Sequence, residues 1–388
     1  MLSTNHFDYI IIGNGLAGLQ LALEFSNDTF FDDKQFALID VSNKTKNDKT
    51  WCFWEKGKGK WDHIVFKSWS AAQFYSSNKT LNLDLNPYEY KMIRSSDFYQ
   101  DAKARLSKKE NFHFIIDKVT QVEEKELVHI TTENNSYSAN HVFDSRISDS
   151  FFNKEDNYTR INQHFKGWII ETKSDVFNPE NFTMMDYRLK DGKQTTFTYV
   201  LPFSTKKALV EFTYFTEHIV DDKTYDTYLK QYLSNFLNIE KYDILEVETG
   251  NIPMTDFPFK SESSKHITKI GTAAGWAKGS TGYSFKHTEK KVSKIIENLK
   301  LNFRTTKDLN NKKYQFYDAI FLKVLKDEND KGEWIFEQFY SKNSVETMFK
   351  FLDEDSSFFE EFEQPGSIIQ QSLFSLSFIK AFFKTLFF

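Results

Sequence analysis

The feature that most constrains the fold is a glycine-rich turn close to the N-terminus. Residues 7–12 (FDYIII) are apolar enough for a buried parallel strand, and residues 19–25 have the period of a helix. Between them, Gly13, Gly15 and Gly18 have the spacing G-x-G-x-x-G. A second strand at residues 35–39 follows and ends in an acid, Asp40. This order predicts an α/β fold with a Rossmann-like dinucleotide-binding domain.

The glycines and the acid have distinct roles in such a domain. Gly13 permits the tight turn, Gly15 lets the backbone approach a pyrophosphate, and Gly18 lets the helix pack close to the strand. The N–H groups of the helix N-terminus face the anion, and Asp40 is predicted to accept hydrogen bonds from a ribose. The alternative is a strand-to-helix turn that binds nothing.

The position of the turn favours FAD as the dinucleotide. In FAD-binding domains of the glutathione-reductase and monooxygenase type, a βαβ unit at the start of the chain holds the AMP half. NAD enzymes that begin in this way also exist. A helix is predicted at residues 97–106, capped by Ser95 or Ser96, and Arg94 just before it is placed to meet a flavin phosphate or ribose.

Later strands are expected to return to the nucleotide-binding sheet. Residues 111–119 and 127–132 alternate as strands, and residues 141–144 form a short apolar strand that ends at Asp144. An acid at the end of a sheet strand is typical of the cofactor edge, so Asp144 is a predicted cofactor-binding residue.

Small residues follow another predicted strand at residues 268–271. They include Gly275, Thr281 and Gly282, and Tyr283 follows directly. Glycines and small side chains leave room for a bulky ring and expose backbone N–H groups to it. We therefore expect this segment to place the cofactor ring.

The middle of the chain is predicted to be rich in strands. Residues 187–190 and 194–202 alternate on either side of an Asp-Gly dipeptide, which is typical of a hairpin. In the next strand, residues 208–216, Glu211 shares a face with Leu209 and Thr213. A carboxylate in this position is either functional or a solvent-facing residue of an edge strand.

Composition and charge exclude several functions. The 50 basic and 55 acidic residues give a net charge of −5, which argues against nucleic-acid binding. The one cysteine, Cys52, excludes internal disulfides and fits a reducing cytoplasm. The nine histidines form no HxxxH or HExxH pair, so no metal site is predicted. We expect neither a signal peptide nor a membrane-spanning helix.

The length of 388 residues predicts two interleaved lobes and a helical C-terminal region. The predicted FAD-binding domain is discontinuous and consists of residues 1–60, 95–150 and 265–300. The β-rich substrate lobe is inserted in it and consists of residues 61–94 and 151–264. The helical C-terminal region consists of residues 301–388. Residues 368–388 carry no acid and have an apolar face, which predicts an amphipathic helix at a membrane interface. The alternative is a terminal helix packed on the protein itself.

Several short blocks occur in order along most of the chain. They are a Thr-Trp-aromatic block at 50–55, a Met-Asp pair at 185–186, an aromatic-Leu-Pro stretch at 197–204, a Glu-containing strand at 208–214, and glycine-rich blocks at 270–275 and 280–284. In this order they resemble the bacterial, FAD-dependent lycopene β-cyclase family of carotenoid biosynthesis.

The resemblance implies a non-redox enzyme that closes the ψ-ends of lycopene, or a related acyclic carotenoid, into β-ionone rings. It implies reduced FAD as the cofactor and NAD(P)H as the reductant that keeps it reduced. Family members usually carry a second carboxylate directly after the glutamate, where this chain has Phe212. Glu211 is then expected to act as both acid and base. Asp186 is the second candidate acid, and its alternative role is a hydrogen-bonding group at a strand end.

Such a reaction sets physical requirements. A proton must reach a terminal C=C bond, so a carboxylic acid must stay protonated near neutral pH, which burial among apolar side chains achieves by raising its pKa. Water must be excluded, and aromatic faces and an electron-rich flavin stabilise positive charge. Products would be γ-carotene and β-carotene.

Two other functions remain open at this point. One is an FAD-dependent monooxygenase or dehydrogenase that acts on an apolar substrate and consumes NAD(P)H. The other is a non-catalytic, membrane-associated nucleotide-binding protein, in which Glu211 is a solvated strand residue. A carotenoid resides in the bilayer, so we expect the enzyme to be cytoplasmic and peripherally associated with the membrane. The sequence does not indicate an oligomeric state.

Overall fold

The computed structural model describes residues 5–153 and 158–356. The strands are β1 (His6–Ile12), β2 (Phe36–Asp40), β3 (Thr50–Lys56), β4 (Lys67–Trp69), β5 (Ala71–Tyr75), β6 (Thr80–Asp84), β7 (Tyr88–Arg94), β8 (Phe112–Ile116), β9 (Val119–Glu124), β10 (Val128–Thr132), β11 (Ser136–Asp144), β12 (Arg160–Glu171), β13 (Asn181–Asp186), β14 (Thr195–Pro202), β15 (Lys207–Thr216), β16 (Asp243–Thr255) and β17 (Ile267–Lys269). The helices are α1 (Leu16–Asn27), α2 (Ser95–Leu106), α3 (Asp222–Asn235), α4 (Phe285–Lys300), α5 (Lys312–Asp327), α6 (Gly332–Lys342) and α7 (Val345–Leu352).

The first sheet contains the predicted Rossmann-like unit. Its strand order is β8-β2-β1-β11-β10-β9, and β17 also pairs with β11. Strands β8, β2, β1, β11 and β17 are parallel, whereas β9 and β10 form antiparallel pairs. Alternate residues of β1 enter two apolar clusters, and Ile11 faces the one that also contains side chains of α1, α2 and α4. The carboxyl ends of β1 and β11 therefore lie side by side, at Ile12 and Asp144.

The second sheet is mainly antiparallel, in the order β16-β12-β15-β14-β13-β5-β6, and only its β13–β5 pair is parallel. One face packs against α3 around Phe212 and Leu229. The opposite face packs against α5, α6 and α7. A third sheet, β3-β7-β4, joins the lobes, because β3 from the predicted FAD-binding segment pairs with β7. The predicted division into domains stays a prediction.

Some predicted elements have different bounds. Residues 111–119 are not one strand but parts of β8 and β9, because the Asp117 side chain accepts a hydrogen bond from Thr132 Oγ1 (2.7 Å) and stabilises a break between them. Helix α2 has Arg94 as its N-cap and no side-chain cap, so the capping prediction was wrong. Ser95 Oγ instead accepts a hydrogen bond from the Lys49 N–H group (2.9 Å).

The predicted hairpin strand at 187–190 is also wrong. The strand before the turn is β13, which ends at Asp186, because the Arg188 N–H group donates to Asp186 Oδ1 (3.0 Å) and turns the chain. Strand β17 ends at Lys269 rather than at residue 271, since Gly271 adopts a φ of +63° and begins a 3-10 turn. Over residues 5–153 and 158–356, the helices are all too short or too polar to cross a bilayer. The predicted tail at 368–388 lies outside the described residues.

Candidate active site

A cavity of about 500 Å³ reaches from the glycine turn of the first sheet to the second sheet. At one end, the nucleotide end, it is lined by the glycine turn and by Lys44 and Lys49. At the other, the aromatic end, it is lined by Phe197, Phe215, Phe321, Phe336, Phe339 and Tyr340. Glu211 and the segment 280–284 also line it. The predicted cofactor turn and the predicted catalytic acid therefore share one cavity.

The three glycines of the turn differ in their steric surroundings, and only Gly13 and Gly18 are required by contacts within the protein. Gly13 has a φ of +99°, and a Cβ atom there would lie 2.0 Å from Ser145 Oγ. A Cβ atom at Gly18 would lie 2.0 Å from the Gly13 carbonyl oxygen, so only glycine lets α1 approach the turn. A Cβ atom at Gly15 would meet nothing within 4 Å, because it would point into open space.

The N-terminus of α1 is suited to an anion. Gly15 is its N-cap, no side chain caps it, and its first turn holds no acidic residue. The first N–H groups of a helix have no partner within the helix and carry partial positive charge. These observations fit the pyrophosphate of a dinucleotide at the nucleotide end.

Asp40 supports the turn rather than the cavity wall. Its Oδ2 atom accepts a hydrogen bond from the Asn14 N–H group (2.7 Å), and its Oδ1 atom accepts one from the Ser42 N–H group (2.9 Å). Asp40 is buried and is not among the cavity-lining residues, whereas Lys44 and Asp48 are. Its predicted role at a ribose stays a prediction.

Arg94 and Asp144 also lie outside the cavity lining. The Arg94 guanidinium donates to Glu246 Oε1 (2.8 Å) on β16. The Asp144 carboxylate accepts hydrogen bonds from Arg146 and from Lys269 Nζ (3.0 Å). Burial alone raises the pKa of Asp144, but Arg146 and Lys269 hold that pKa below its usual value. Both residues therefore belong to ion pairs that tie chain segments together, and their predicted contacts with a cofactor stay predictions.

Two glycines of the segment 271–284, Gly275 and Gly282, differ in their surroundings. Gly275 has a φ of +66°, ends the 3-10 turn and packs on Phe259, so it does not line the cavity. Thr281, Gly282 and Tyr283 do line it. Gly282 has a φ of +76°, and a Cβ atom there would lie 2.1 Å from Gln163 Oε1.

Several polar atoms in this wall have no hydrogen-bond partner. Ser280 Oγ, Thr281 Oγ1 and Gln163 Oε1 are buried and unpaired, and all three residues line the cavity. Buried polar groups without partners are rare, because each loses its hydrogen bonds to water. Their presence fits a bound group that presents donors and acceptors, as the ring edge of a flavin does.

Lys278 was missed by the sequence analysis and holds this segment in place. Its Nζ atom lies 3.1 Å from Asp318 and 3.5 Å from Glu354. Burial lowers the pKa of Lys278, but these two carboxylates outweigh burial and raise it. The Lys278 carbonyl oxygen accepts a hydrogen bond from the Gly282 N–H group (2.8 Å). An isolated lysine in a loop carries no sequence pattern that would reveal this role.

Glu211 lies in a row of residues that crosses the second sheet. It pairs with Tyr199 of β14 on one side and with Gly167 of β12 on the other. Gly167 in turn pairs with Glu248 of β16. Directly paired residues of antiparallel strands point to the same face, so these side chains share a surface. Gly167 leaves room there, because a Cβ atom would lie 3.3 Å from Glu211 Cβ and 2.9 Å from Leu209 Cδ1.

The environment of Glu211 favours its neutral form. Burial raises the pKa of Glu211 to about 8, and the negative charge of Glu248 adds to the effect. Thr213 Oγ1 donates a hydrogen bond to Glu211 Oε1 (2.9 Å), which acts in the opposite direction. Glu211 is partly exposed, and the surface it exposes lines the cavity. At neutral pH the raised pKa favours a protonated carboxyl group at Glu211, and this group faces the cavity.

Phe212, where a second acid would follow Glu211, points away from the cavity. It is buried on the opposite face and stacks on Tyr228 with ring centroids 4.8 Å apart. Successive side chains of a strand point to opposite faces. A carboxylate at residue 212 would therefore lie against α3 and not beside Glu211.

Asp186 is fully buried but does not line the cavity. Its Oδ1 atom accepts hydrogen bonds from the Arg188 N–H and Nε–H groups (3.0 and 2.9 Å), and its Oδ2 atom accepts one from the Tyr232 hydroxyl (2.8 Å). Both oxygens are thus occupied within the protein. This placement supports Glu211 over Asp186 as the acid, and it fits the alternative role of a hydrogen-bonding group at a strand end.

Three tyrosines form a hydroxyl chain beside Glu211. Tyr199 donates to the Tyr90 hydroxyl (2.7 Å), and the Tyr90 and Tyr283 hydroxyl oxygens lie 2.8 Å apart. Burial raises the pKa of each tyrosine well above 10 and raises the pKa of the nearby Cys52 thiol to about 12. All four residues line the cavity and stay neutral, so they add polarisable surface without a competing charge.

Glu248 is a further cavity-lining carboxylate, which no motif in the sequence indicated. Its Oε1 atom accepts a hydrogen bond from the Thr50 N–H group (2.9 Å), and its Oε2 atom accepts one from Thr50 Oγ1 (2.6 Å). The alternation of Glu246, Glu248 and Gly250 was a sign of one strand face. Nothing local, however, indicated that this face meets Glu211.

Comparison with known proteins agrees with this geometry. The sequence profile of the family described as lycopene cyclase protein matches residues 8–364. The chain belongs to this family. A comparison with curated protein sequences gives no significant match. The resemblance inferred from short blocks is therefore confirmed at the level of the family.

Solved structures with a similar fold include a reductase-like protein, a flavin-dependent brominase and a tetracycline destructase. A geranylgeranyl bacteriochlorophyll reductase-like protein from Thermoplasma acidophilum matches with a TM-score of 0.59 and 13% identity, over 97% of this chain and 95% of that one. The flavin-dependent brominase Bmp2 matches with a TM-score of 0.58 and 12% identity, over 90% and 93%. A tetracycline destructase matches with a TM-score of 0.58 and 12% identity, over 92% and 99%. At these identities the likeness concerns the fold, and it confirms the predicted fold class.

Proposed function

We propose that this lycopene cyclase family member is a lycopene β-cyclase, which closes the ψ-ends of lycopene into β-ionone rings and yields γ-carotene and then β-carotene. The observation that carries the proposal is the placement of Glu211. Its carboxyl group has a raised pKa and faces a cavity that has a dinucleotide-type turn at one end and aromatic side chains at the other.

The residues at the nucleotide end fit FAD. The uncapped N-terminus of α1 and the open space at Gly15 would receive the pyrophosphate, and the segment 280–284 with its unpaired hydroxyls would hold the ring system. When bound in its reduced form, FAD supplies an electron-rich ring that stabilises nearby positive charge without a net transfer of electrons. NAD(P)H is the proposed reductant that keeps it reduced.

Glu211 performs the proton transfers in this proposal. Its neutral carboxyl group donates a proton to the terminal C=C bond, which leaves a carboxylate and a carbocation. A second C=C bond of the chain attacks the cation and closes the ring. The Glu211 carboxylate then removes a ring proton, which forms the ring C=C bond and restores the acid. Atoms and electrons balance, and the product is an isomer of the substrate.

The aromatic wall protects the cation. Water would quench it, and the phenylalanines of the aromatic end leave water few hydrogen-bond partners. The faces of Tyr90, Tyr199 and Tyr283 stabilise positive charge and stay protonated themselves. Their neutrality prevents them from removing the proton at the wrong position.

We also propose that the substrate arrives from a bilayer, since a C40 hydrocarbon resides there. Residues 368–388, outside the described part of the chain, would hold the cytoplasmic enzyme at the membrane surface. Peripheral attachment is sufficient for this purpose, because the apolar end of the cavity needs only to face the bilayer.

The test is expression in a bacterial host that accumulates lycopene, followed by chromatography of the pigments. Wild type should give monocyclic and bicyclic products, and Glu211→Gln should leave lycopene unchanged while FAD stays bound. Glu171→Gln, an exposed glutamate on β12, is the matched control and should resemble wild type. The contrary result is a wild-type flavoprotein that forms no ring from lycopene but consumes NAD(P)H and oxygen when a carotenoid is added. In that case the monooxygenase alternative replaces the proposal.

A further inference from the structure

Glu248 faces the same cavity as Glu211 from two strands away. Both residues pair with Gly167, Glu211 from β15 and Glu248 from β16, and both line the cavity. Strands lie about 5 Å apart, so the two backbone positions are separated by about 10 Å, with no side chain at Gly167 between them. The arrangement places two carboxylates on one surface although the sequence separates them by a long interval.

Thr50 fixes the orientation of Glu248. The Thr50 N–H and Oγ1–H groups each donate to one oxygen of the carboxylate, at 2.9 and 2.6 Å. Both oxygens therefore act as acceptors, as in the ionised form. Glu211 accepts a single hydrogen bond, from Thr213, and lies in a more desolvated position. The environments of the two carboxyl groups are thus unequal, which is how one site keeps one acid neutral and the other charged.

We propose that Glu248 is a second functional carboxylate of this site, whose fixed negative charge stabilises positive charge in the cavity while Glu211 transfers the proton. This inference rests on the proposed function for the identity of the cation. Glu248 occupies the role that the residue after Glu211 cannot have, because Phe212 points to the other face of the sheet.

The other titratable groups near Glu211 leave Glu248 as its charged neighbour. Four of these groups lie on neighbouring strands or on the segment 280–284, namely Cys52, Tyr90, Tyr199 and Tyr283. Burial raises the pKa of each and keeps it neutral. Arg94 is bound to Glu246 and does not line the cavity. Removal of the Glu248 charge should therefore make Glu211 easier to ionise, because a like charge disfavours the ionised form.

The decisive variant is Glu248→Gln, which removes the charge but keeps an oxygen that can accept from the Thr50 N–H group. The cyclisation rate should fall about 100-fold, as when one stabilising group is removed from developing charge. KM and FAD content should stay close to wild type. Glu171→Gln serves again as the exposed, matched control.

A second readout does not depend on cyclisation. Infrared spectra of the holoenzyme should show the C=O band of a protonated carboxyl group that is absent from Glu211→Gln, and its disappearance with rising pH reports the ionisation of Glu211. In Glu248→Gln this midpoint should move to lower pH by about one unit. Asp353, whose burial raises its pKa to about 6, is largely ionised above about pH 7 and does not interfere.

The two readouts separate the possible failures. A wild-type enzyme that forms no ring overturns the proposed function, while a shifted midpoint would still support the coupling of the two carboxyl groups. An unchanged midpoint together with an unchanged rate in folded, FAD-containing Glu248→Gln overturns the inference. A slower rate with an unchanged midpoint and a lower FAD content also overturns it, since that result marks a purely structural tie to Thr50.

Discussion

Replacement of Glu211 by glutamine should change how stability depends on pH, and in a direction that the structure fixes. Glu211 has a raised pKa because it is buried and lies near the charge of Glu248. In the unfolded chain its carboxyl group has an ordinary pKa near 4.5. The folded protein therefore binds a proton that the unfolded chain has released, at every pH between these two values.

The sign follows from proton binding. A group with a raised pKa in the folded state contributes stability that is fully present below the unfolded pKa and is lost as the pH rises through the folded pKa. For Glu211 this window extends from about 4.5 to about 8. The loss across it amounts to at most about 5 kcal/mol, since one pKa unit corresponds to about 1.4 kcal/mol.

Glu211→Gln removes this loss, because glutamine does not ionise. The effect of Glu211 ionisation on the free energy of unfolding should be smallest at about pH 5. As the pH rises to about 9, the free energy of unfolding of the variant should increase relative to that of wild type. Urea unfolding of the holoenzymes, followed by circular dichroism at several pH values, measures the difference. Parallel curves for wild type and Glu211→Gln would refute the raised pKa and, with it, the assignment of Glu211 as the neutral acid.

Three further changes test other parts of the site. Gly15→Val should abolish FAD binding, measured by flavin absorbance, without a loss of apoprotein stability, because a Cβ atom there meets no protein atom within 4 Å; retained FAD would contradict the pyrophosphate site. Asp186→Asn should lower stability by about 3 kcal/mol, because Arg188 loses its partner, yet the folded fraction should still cyclise lycopene; complete loss of turnover per bound flavin would return Asp186 to the mechanism. Deletion of residues 368–388 should weaken liposome flotation, and unchanged flotation would remove the tail from the account.

Local sequence patterns were sufficient for the nucleotide-binding unit. This unit consists of β1, the glycine turn, α1 and β2, which follow one another along the chain. Gly18 is required by its contact with Gly13, and Gly13 by its contact with Ser145 after a neighbouring strand. The strand that carries Glu211 was also predictable, because alternation alone places Leu209 and Glu211 on one face. Periodicity therefore predicted the glycine turn at the nucleotide end and the strand that carries Glu211.

Contacts between distant parts of the chain were not predictable in this way. Thr50 and Glu248 are 198 residues apart, and no periodic pattern connects them. Arg94 has a predictable position before α2, but its partner, Glu246, comes from another sheet. The same holds for Asp186, because Tyr232, which donates a hydrogen bond to it, is 46 residues further along the chain. Partner identity, which depends on tertiary structure, limits what a single sequence reveals.

Apart from Asp48, which accepts hydrogen bonds from Ser95 and Tyr99, the charged side chains that line the cavity are placed as the proposed chemistry requires. Lys44 and Lys49 lie at the nucleotide end, together with the N-terminus of α1, where a dinucleotide brings negative phosphates. Glu211 and Glu248 lie on the sheet, where a carbocation would form. An enzyme that makes an oxyanion would instead need hydrogen-bond donors beside the sheet. The unpaired hydroxyl groups of Ser280 and Thr281 lie on the other wall of the cavity. Under the proposed function, a fold shared with a flavin-dependent brominase would serve acid–base catalysis on a hydrocarbon, because the sheet that lines the cavity carries carboxylates and aromatic rings.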